Sequence, residues 1–280
     1  MSGIVWLASY PKSGNTWFRA LLANYLSNRD KPVDINNLGG GPIASARTAF
    51  DDGVGVAASD LTEREVACLR PKIYRQIMEQ CEELPLFLKV HDAYLTSPEG
   101  LPYFAPEVTR VALYLIRNPL DVAPSYANHS GISLEKSVRA LGREEHGLVL
   151  NQTRLANQLP QQMGSWSEHV KSWVDAPGLS VHVVRYEDMH KDTELEFSKA
   201  LTACGLEVKP DRVAKAVDFS RFDRMKEQEA KTGFGEKPQG AKSFFRKGQV
   251  GDGKKRLSEE LQSKIRNDHE AVMRRFGYWD

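Results

Sequence analysis

Lys12, Ser13, Gly14 and Thr16 lie together in Ser9-Tyr10-Pro11-Lys12-Ser13-Gly14-Asn15-Thr16-Trp17, a combination suited to holding an oxyanion. The stretch follows the apolar run Ile4-Val5-Trp6-Leu7-Ala8, short enough for a buried strand. It precedes Phe18 to Asn28, where Leu21, Leu22, Tyr25 and Leu26 recur at helical spacing. At such a strand-turn-helix, Gly14 lets backbone approach a ligand with no Cβ in the way, and the first N–H groups of the helix point into the turn. Ser13 and Thr16 add hydroxyl donors and Lys12 adds a full positive charge. The predicted chemistry is phosphate or sulfate binding.

Three more groups could act on such an anion. His91 follows Leu86-Phe87-Leu88-Lys89-Val90, at the carboxyl end of a strand, on the edge where ligands bind in α/β sheets. Arg117 and Ser125 flank Pro119 after the run Arg110 to Ile116. Pro119 fits a first helical turn, across which a guanidinium fork and a hydroxyl can meet a phosphate dianion. From Lys231 to Arg256, eight Lys/Arg stand against two acids among six glycines, with Phe244 and Phe245 in the middle. A flap over an anionic ligand, a nucleic-acid patch and a solvated loop all fit that composition.

Strands at 4–8, 86–90, 109–116 and 180–186 are short and apolar, and they are separated by segments of helix or loop length. Parallel strands buried on both faces fit this pattern. Helices are expected from Phe18 to Asn28, over 61–84 with Asp60 or Thr62 as N-cap, and over Ser133 to Leu141, Thr153 to Val174, Thr193 to Cys204 and Ser258 to Phe276. Residues 29–60, rich in Asn, Gly, Ala and Asp, read as a long loop of the lid or binding type. The fold class is α/β, a single domain over 1–280 with a mostly parallel central sheet flanked by helices, a loop or lid at 29–60 and a basic Gly-rich flap at 231–256.

With 280 residues the chain can bury a sizeable core. Its 38 basic and 37 acidic side chains demand neither a polyanionic partner nor an anionic membrane. Cys68, Cys81 and Cys204 form no C-x-x-C pair, against a disulfide framework or a structural zinc site. No metal is implied, because His, Cys and Asp/Glu fall in no recognised ligand spacing. The N-terminus lacks a basic n-region and a small-residue cleavage site, and no run is long enough to span a membrane, so the expectation is a soluble, cytoplasmic protein.

The order Tyr-Pro-Lys-Ser-Gly-Asn-Thr-Trp resembles the 5′-phosphosulfate loop of sulfotransferases that use 3′-phosphoadenosine 5′-phosphosulfate (PAPS), implying their P-loop-kinase-like architecture. The resemblance assigns Lys12, Ser13, Gly14, Asn15, Thr16 and Trp17 to that loop. Lys89 and His91 match the family's Lys-x-His, which implies His91 as general base and Lys89 on the phosphosulfate. Arg117-Asn118-Pro119-x-Asp121-x-x-x-Ser125-Tyr126 resembles the 3′-phosphate site, giving that role to Arg117 and Ser125. Arg185-Tyr186-Glu187-Asp188 is similar to the segment whose tyrosine contacts adenine, and Ser220-Arg221-Phe222 to the one that supports the base. Phe245-Arg246-Lys247-Gly248-x-x-Gly251-Asp252 resembles the signature that closes over the 3′-phosphate through Arg246, Lys247 and Gly248.

Two departures stand out. Pro124 falls inside the helix that carries Ser125, and Gly253 replaces the usual tryptophan, so the flap lacks that anchor. The resemblance spans residues 4–256 and implies the soluble, cytosolic-type, bacterial-like branch, not the membrane-anchored Golgi one. It implies sulfuryl transfer from PAPS to a hydroxyl or amine. A P-loop phosphotransferase is the rival reading, yet its lysine directly precedes a Ser/Thr and follows its glycines, whereas Lys12 comes before Gly14. A nucleic-acid role for 231–256 is weaker, since basic and aromatic residues are confined to one segment. Tyr94, Tyr103 and Phe104 suggest an apolar acceptor pocket, compatible with a lipid, phenol, sugar or peptide natural product. The dimer motif of some cytosolic relatives, Lys-x-x-x-Thr-Val-x-x-x-Glu, is absent near the C-terminus.

Overall fold

The computed structural model describes residues 3–39, 41–80, 85–150, 155–238 and 243–279. The end expected for the helix over 61–84, with Cys81, the start of the one expected from Thr153, and Lys242 of the basic stretch lie outside the described residues. Two compact units are formed, each from three chain segments. One comprises Met1–Tyr10, Gly40–Tyr114 and Arg143–Val183, the other Pro11–Gly39, Leu115–Gly142 and Val184–Asp280.

In chain order the elements are β1 (Ile4–Ser9), α1 (Asn15–Ser27), α2 (Arg47–Val54), α3 (Glu63–Gln80), β2 (Leu86–Val90), β3 (Thr109–Ile116), α4 (Pro119–Ser130), α5 (Leu134–Leu141) and β4 (Gly147–Leu148). There follow β5 (Gln161–Gln162), α6 (Trp166–Val174), β6 (Val181–Arg185), α7 (Tyr186–Lys191), α8 (Thr193–Ala203), α9 (Pro210–Phe219), α10 (Phe222–Thr232), α11 (Asp252–Arg256) and α12 (Glu259–Arg275). The sheet runs β2-β1-β3-β6, and β4 pairs with β5 in a separate antiparallel ladder. β1 and β2 are parallel, with Leu7 opposite Lys89 and Ala8 opposite Val90. All six residues of β1 are buried, which is why an unbroken apolar run is needed there. This is the expected α/β class, with each expected strand within a residue of its place.

Two expectations are corrected. Residues 29–60 are not wholly loop, because α2 forms over Arg47–Val54. Phe50 packs with Ala58, Ile73 and Leu159, and Arg47 Nε donates to the Ala156 carbonyl at 2.7 Å, so contacts distant in sequence hold this turn of helix. The helix expected from Thr153 begins only at Trp166. Gly164 takes a left-handed φ of 68°, and Ser165 with Glu168 forms a capping box that fixes the start.

Candidate functional site

The second unit gathers the anion-binding candidates. Lys12 sits in the left-handed region at φ 73°, unusual for a residue with a side chain, and its carbonyl accepts from Arg117 Nη1 at 3.3 Å. Its Nζ lies 4.0 Å from the centre of the Phe244 ring and 3.4 Å from His129 Nδ1. The Ser13 side chain is buried, and its hydroxyl has no partner among the described residues. Gly14 closes the turn at φ 101°, and a Cβ there would stand 2.7 Å from the Tyr186 ring. The N–H groups of Asn15, Thr16 and Trp17 precede the first helical bond of α1, from Phe18 N to the Gly14 carbonyl at 3.0 Å. An orphaned hydroxyl, the amides of a helix start and a lysine on a glycine cradle fit a phosphate or sulfate oxygen.

Arg117 ties this loop to the flap. Its Nη2 donates to the Gln249 carbonyl at 2.9 Å, and its guanidinium stacks 4.2 Å above Tyr186. Tyr186, buried at the first turn of α7, also meets Trp17 edge-on at 5.6 Å, and burial pushes its hydroxyl pKa up. Glu187 accepts from Asn118 N at 2.9 Å and from the Tyr278 hydroxyl at 2.8 Å, which fixes the start of α4. Burial raises the Glu187 pKa, although these donors oppose it. Ser125 is half-buried on α4, in the turn that holds Pro124.

Flap cations converge on one carboxylate. Arg246 and Lys247 donate to Asp252 at 2.8 and 2.5 Å. Burial acts to raise the Asp252 pKa, but the hydrogen bonds and charges of Arg246 and Lys247 outweigh it and bring it to about 2. The missing tryptophan does not leave the flap loose. Asp121 accepts from Gly251 N at 2.8 Å and Gly253 N at 2.7 Å, so close that a Cβ at Gly253 would lie 2.0 Å from the Leu120 carbonyl oxygen. That approach requires glycine and supplies the anchor the sequence lacks. Phe222 packs its ring against Gly248 and edge-on to Phe245 at 6.1 Å. Ser220 is fully buried, its hydroxyl accepting from Asn24 Nδ2 at 3.1 Å.

In the first unit, His91 stands just beyond β2. Its Nδ1 is 2.8 Å from the Ser9 carbonyl oxygen. A carbonyl only accepts, so Nδ1 carries the proton and Nε2 the lone pair. Lys89 is half-buried on β2, with its carbonyl accepting from Ala44 N at 2.9 Å. Next to His91, Asp92 is buried in an ion pair with Arg70 at 2.7 Å. Phe104 is no pocket wall. It is fully buried, stacked between Tyr74 and Trp173, because an aromatic core forms there. Tyr103 lies against the Arg70 guanidinium, and Tyr94 against Trp173.

His169 on α6 stands outside the sequence candidates. It is fully buried, with Nδ1 2.8 Å from the Tyr114 hydroxyl and Nε2 3.1 Å from the His91 carbonyl oxygen, and burial brings its pKa down to about 4. The signal was a histidine inside the apolar stripe Trp166, Val170, Trp173.

Among the described residues no group of three or more His, Cys, Asp or Glu could hold a metal ion, and no helix is long and apolar enough to cross a membrane. A family model described as Sulfotransferase domain matches residues 3–277. Sulfotransferase 2A2 of Rattus norvegicus is 30% identical over 79% of this chain, a match spanning 66% of that relative, just under two thirds. Sulfotransferase 1E1 of Bos taurus is 26% identical over 96% of this chain and 82% of its own length. The crystal structure of mouse sulfotransferase SULT7A1 complexed with PAP shares the fold, with a TM-score of 0.61 at 20% identity, over 97% of this chain and 85% of that one. A family model that runs from the first strand to the last helix makes this chain a member of the sulfotransferase family.

Proposed function

We propose that this sulfotransferase moves the sulfuryl group of PAPS onto a hydroxyl or amine of a small-molecule acceptor. In the reaction the acceptor oxygen or nitrogen bonds to sulfur, the bond from sulfur to the 5′-phosphate oxygen breaks, and the acceptor proton goes to a base. Nε2 of His91 is that base, since Nδ1 is committed to the Ser9 carbonyl. Lys12, the Ser13 hydroxyl and the amides of Gly14, Asn15, Thr16 and Trp17 hold the 5′-phosphosulfate, and Lys12 takes up charge on the departing phosphate. Lys89 assists at the sulfuryl oxygens. Arg117, Ser125, Arg246, Lys247 and Gly248 hold the 3′-phosphate, and Tyr186, Ser220 and Phe222 the adenine. Little covalent work falls to the protein, which supplies alignment and charge.

The observation that carries this reading is the Lys12 turn, with the buried Ser13 hydroxyl that has no partner among the described residues and Arg117 bound to its backbone. Cys68 and Cys204 form no disulfide among the described residues, which suits a reducing, cytoplasmic setting. The test is to incubate the protein with sulfur-labelled PAPS and panels of phenols, sterols, sugars and peptides, with ATP and magnesium as a parallel donor. Label is expected to move from PAPS to at least one acceptor class. Phosphoryl transfer from ATP, with none from PAPS, contradicts the reading.

A further inference from the structure

The end of β2 is gripped from one side by α6. His169 and Trp173, one helical turn apart, address two consecutive carbonyls, with Nε2 of His169 3.1 Å from the His91 oxygen and Nε1 of Trp173 2.9 Å from the Asp92 oxygen. Ser172 adds a bond from Tyr94 N at 3.0 Å, and Ala93 N donates to the Gln162 carbonyl at 2.9 Å. Every residue from 91 to 94 therefore has its main chain tied down.

The His169 bond depends on one tautomer. The His91 carbonyl can only accept, so Nε2 of His169 must carry the proton, and Nδ1 must then accept from the Tyr114 hydroxyl at 2.8 Å. Both partners are fully buried, and the Tyr10 ring meets His169 edge-on at 5.5 Å. A chain of two directed bonds thus runs from Tyr114 through His169 to the backbone that carries the His91 imidazole.

We infer that His169 and Tyr114 are positioning residues for sulfuryl transfer, fixing the peptide of His91 so that its ring, held by Ser9, keeps one orientation. The inference rests on the reading of His91 as the base. Neither residue has surface open to a substrate. Their effect belongs in kcat, because a small misplacement of a catalytic group costs rate while donor binding is untouched.

The experiment compares His169→Gln with His169→Asn. The Gln amide nitrogen reaches the position of Nε2 and can still donate to the His91 carbonyl, whereas the Asn amide matches Nδ1 and reaches only Tyr114. His169→Asn is expected to lower kcat about 10- to 100-fold with unchanged PAP affinity by calorimetry, and His169→Gln to stay within about threefold of wild type. Equal kcat in the two variants overturns the inference, whether both match wild type or both fall together as general loosening would make them. Tyr114→Phe removes one hydroxyl and keeps the packing. It should lower kcat several-fold at constant PAP affinity, and an unaltered kcat also overturns the inference. His91→Ala in the same assay separates the two levels. Near-normal turnover there removes the base role and the inference with it, whereas an inactive His91→Ala beside equal Gln and Asn variants removes the positioning role alone.

Discussion

The end of β2 and the loop and flap around Lys12 are held by opposite means. At His91 the holding groups are neutral and directed, namely the Ser9 carbonyl, the His169 imidazole and the Trp173 indole, and two of the donors belong to fully buried side chains. Around Lys12 and the flap they are charged groups. Lys12 lies on Phe244, Arg246 and Lys247 on Asp252, and Arg117 on two backbone carbonyls. Buried neutral bonds fix geometry, since an unmade one costs full desolvation. Arg and Lys make charge-assisted bonds to phosphate of the same kind as to a carboxylate. Under the proposed function, the first would orient the base and the second would grip the nucleotide.

Removing a gripping charge that also serves the chemistry should have the largest effect. Lys12→Ala is expected to lower kcat/KM by about 10² to 10³, because a cation at a developing anion is lost. Steady-state kinetics with varied PAPS checks this, and a loss under tenfold would move Lys12 out of the reacting centre.

The orienting part should show itself in acid. His169 titrates near 4 in the folded protein against an ordinary 6.5, so between these values the unfolded chain binds a proton that the native one does not. Stability from this group is complete above pH 6.5 and falls by up to about 3 kcal/mol as pH drops to 4. His146, lowered by burial and then by Arg143, adds to the same window. Urea unfolding at pH 7 and pH 4.5 should show the decline, and His169→Gln should reduce it. An undiminished decline in that variant would mean that other groups cause it.

Arg117→Ala should weaken PAP binding about 10- to 100-fold, the value of one or two charge-assisted bonds. Calorimetry reads it directly, and an unchanged Kd refutes the 3′-phosphate role. The smallest effect is expected at Gly253→Ala, where the new Cβ meets the Leu120 carbonyl. A cost of about 1–2 kcal/mol should appear as a Tm lower by several degrees. No change in Tm would show that this approach is not tight.

The candidate anion-binding segments stand out in the sequence because their residues are local. A strand, a glycine turn, a lysine and a helix start follow one another in a few residues, and Arg117 and the flap carry their own spacing. The orienting part was legible only at His91. His169 is 78 residues away, and what gives it a role is a carbonyl, which leaves no trace in residue type. The Asp121 anchor was hidden for the same reason, since its partners are the amides of Gly251 and Gly253. α2 escaped because Ala46 offers no capping side chain and Gly53, a poor helix former, lies within it, so packing around Phe50 decides its fold. Its helicity is a tertiary outcome.

The most direct measurement is turnover and PAP affinity of His91→Ala in one preparation. If the orienting part supplies the proton acceptor and the gripping part binds the nucleotide, kcat falls by at least about 10² while Kd for PAP stays at the wild-type value. Near-wild-type turnover, or a loss of turnover accompanied by an equal loss of PAP binding, would contradict that division.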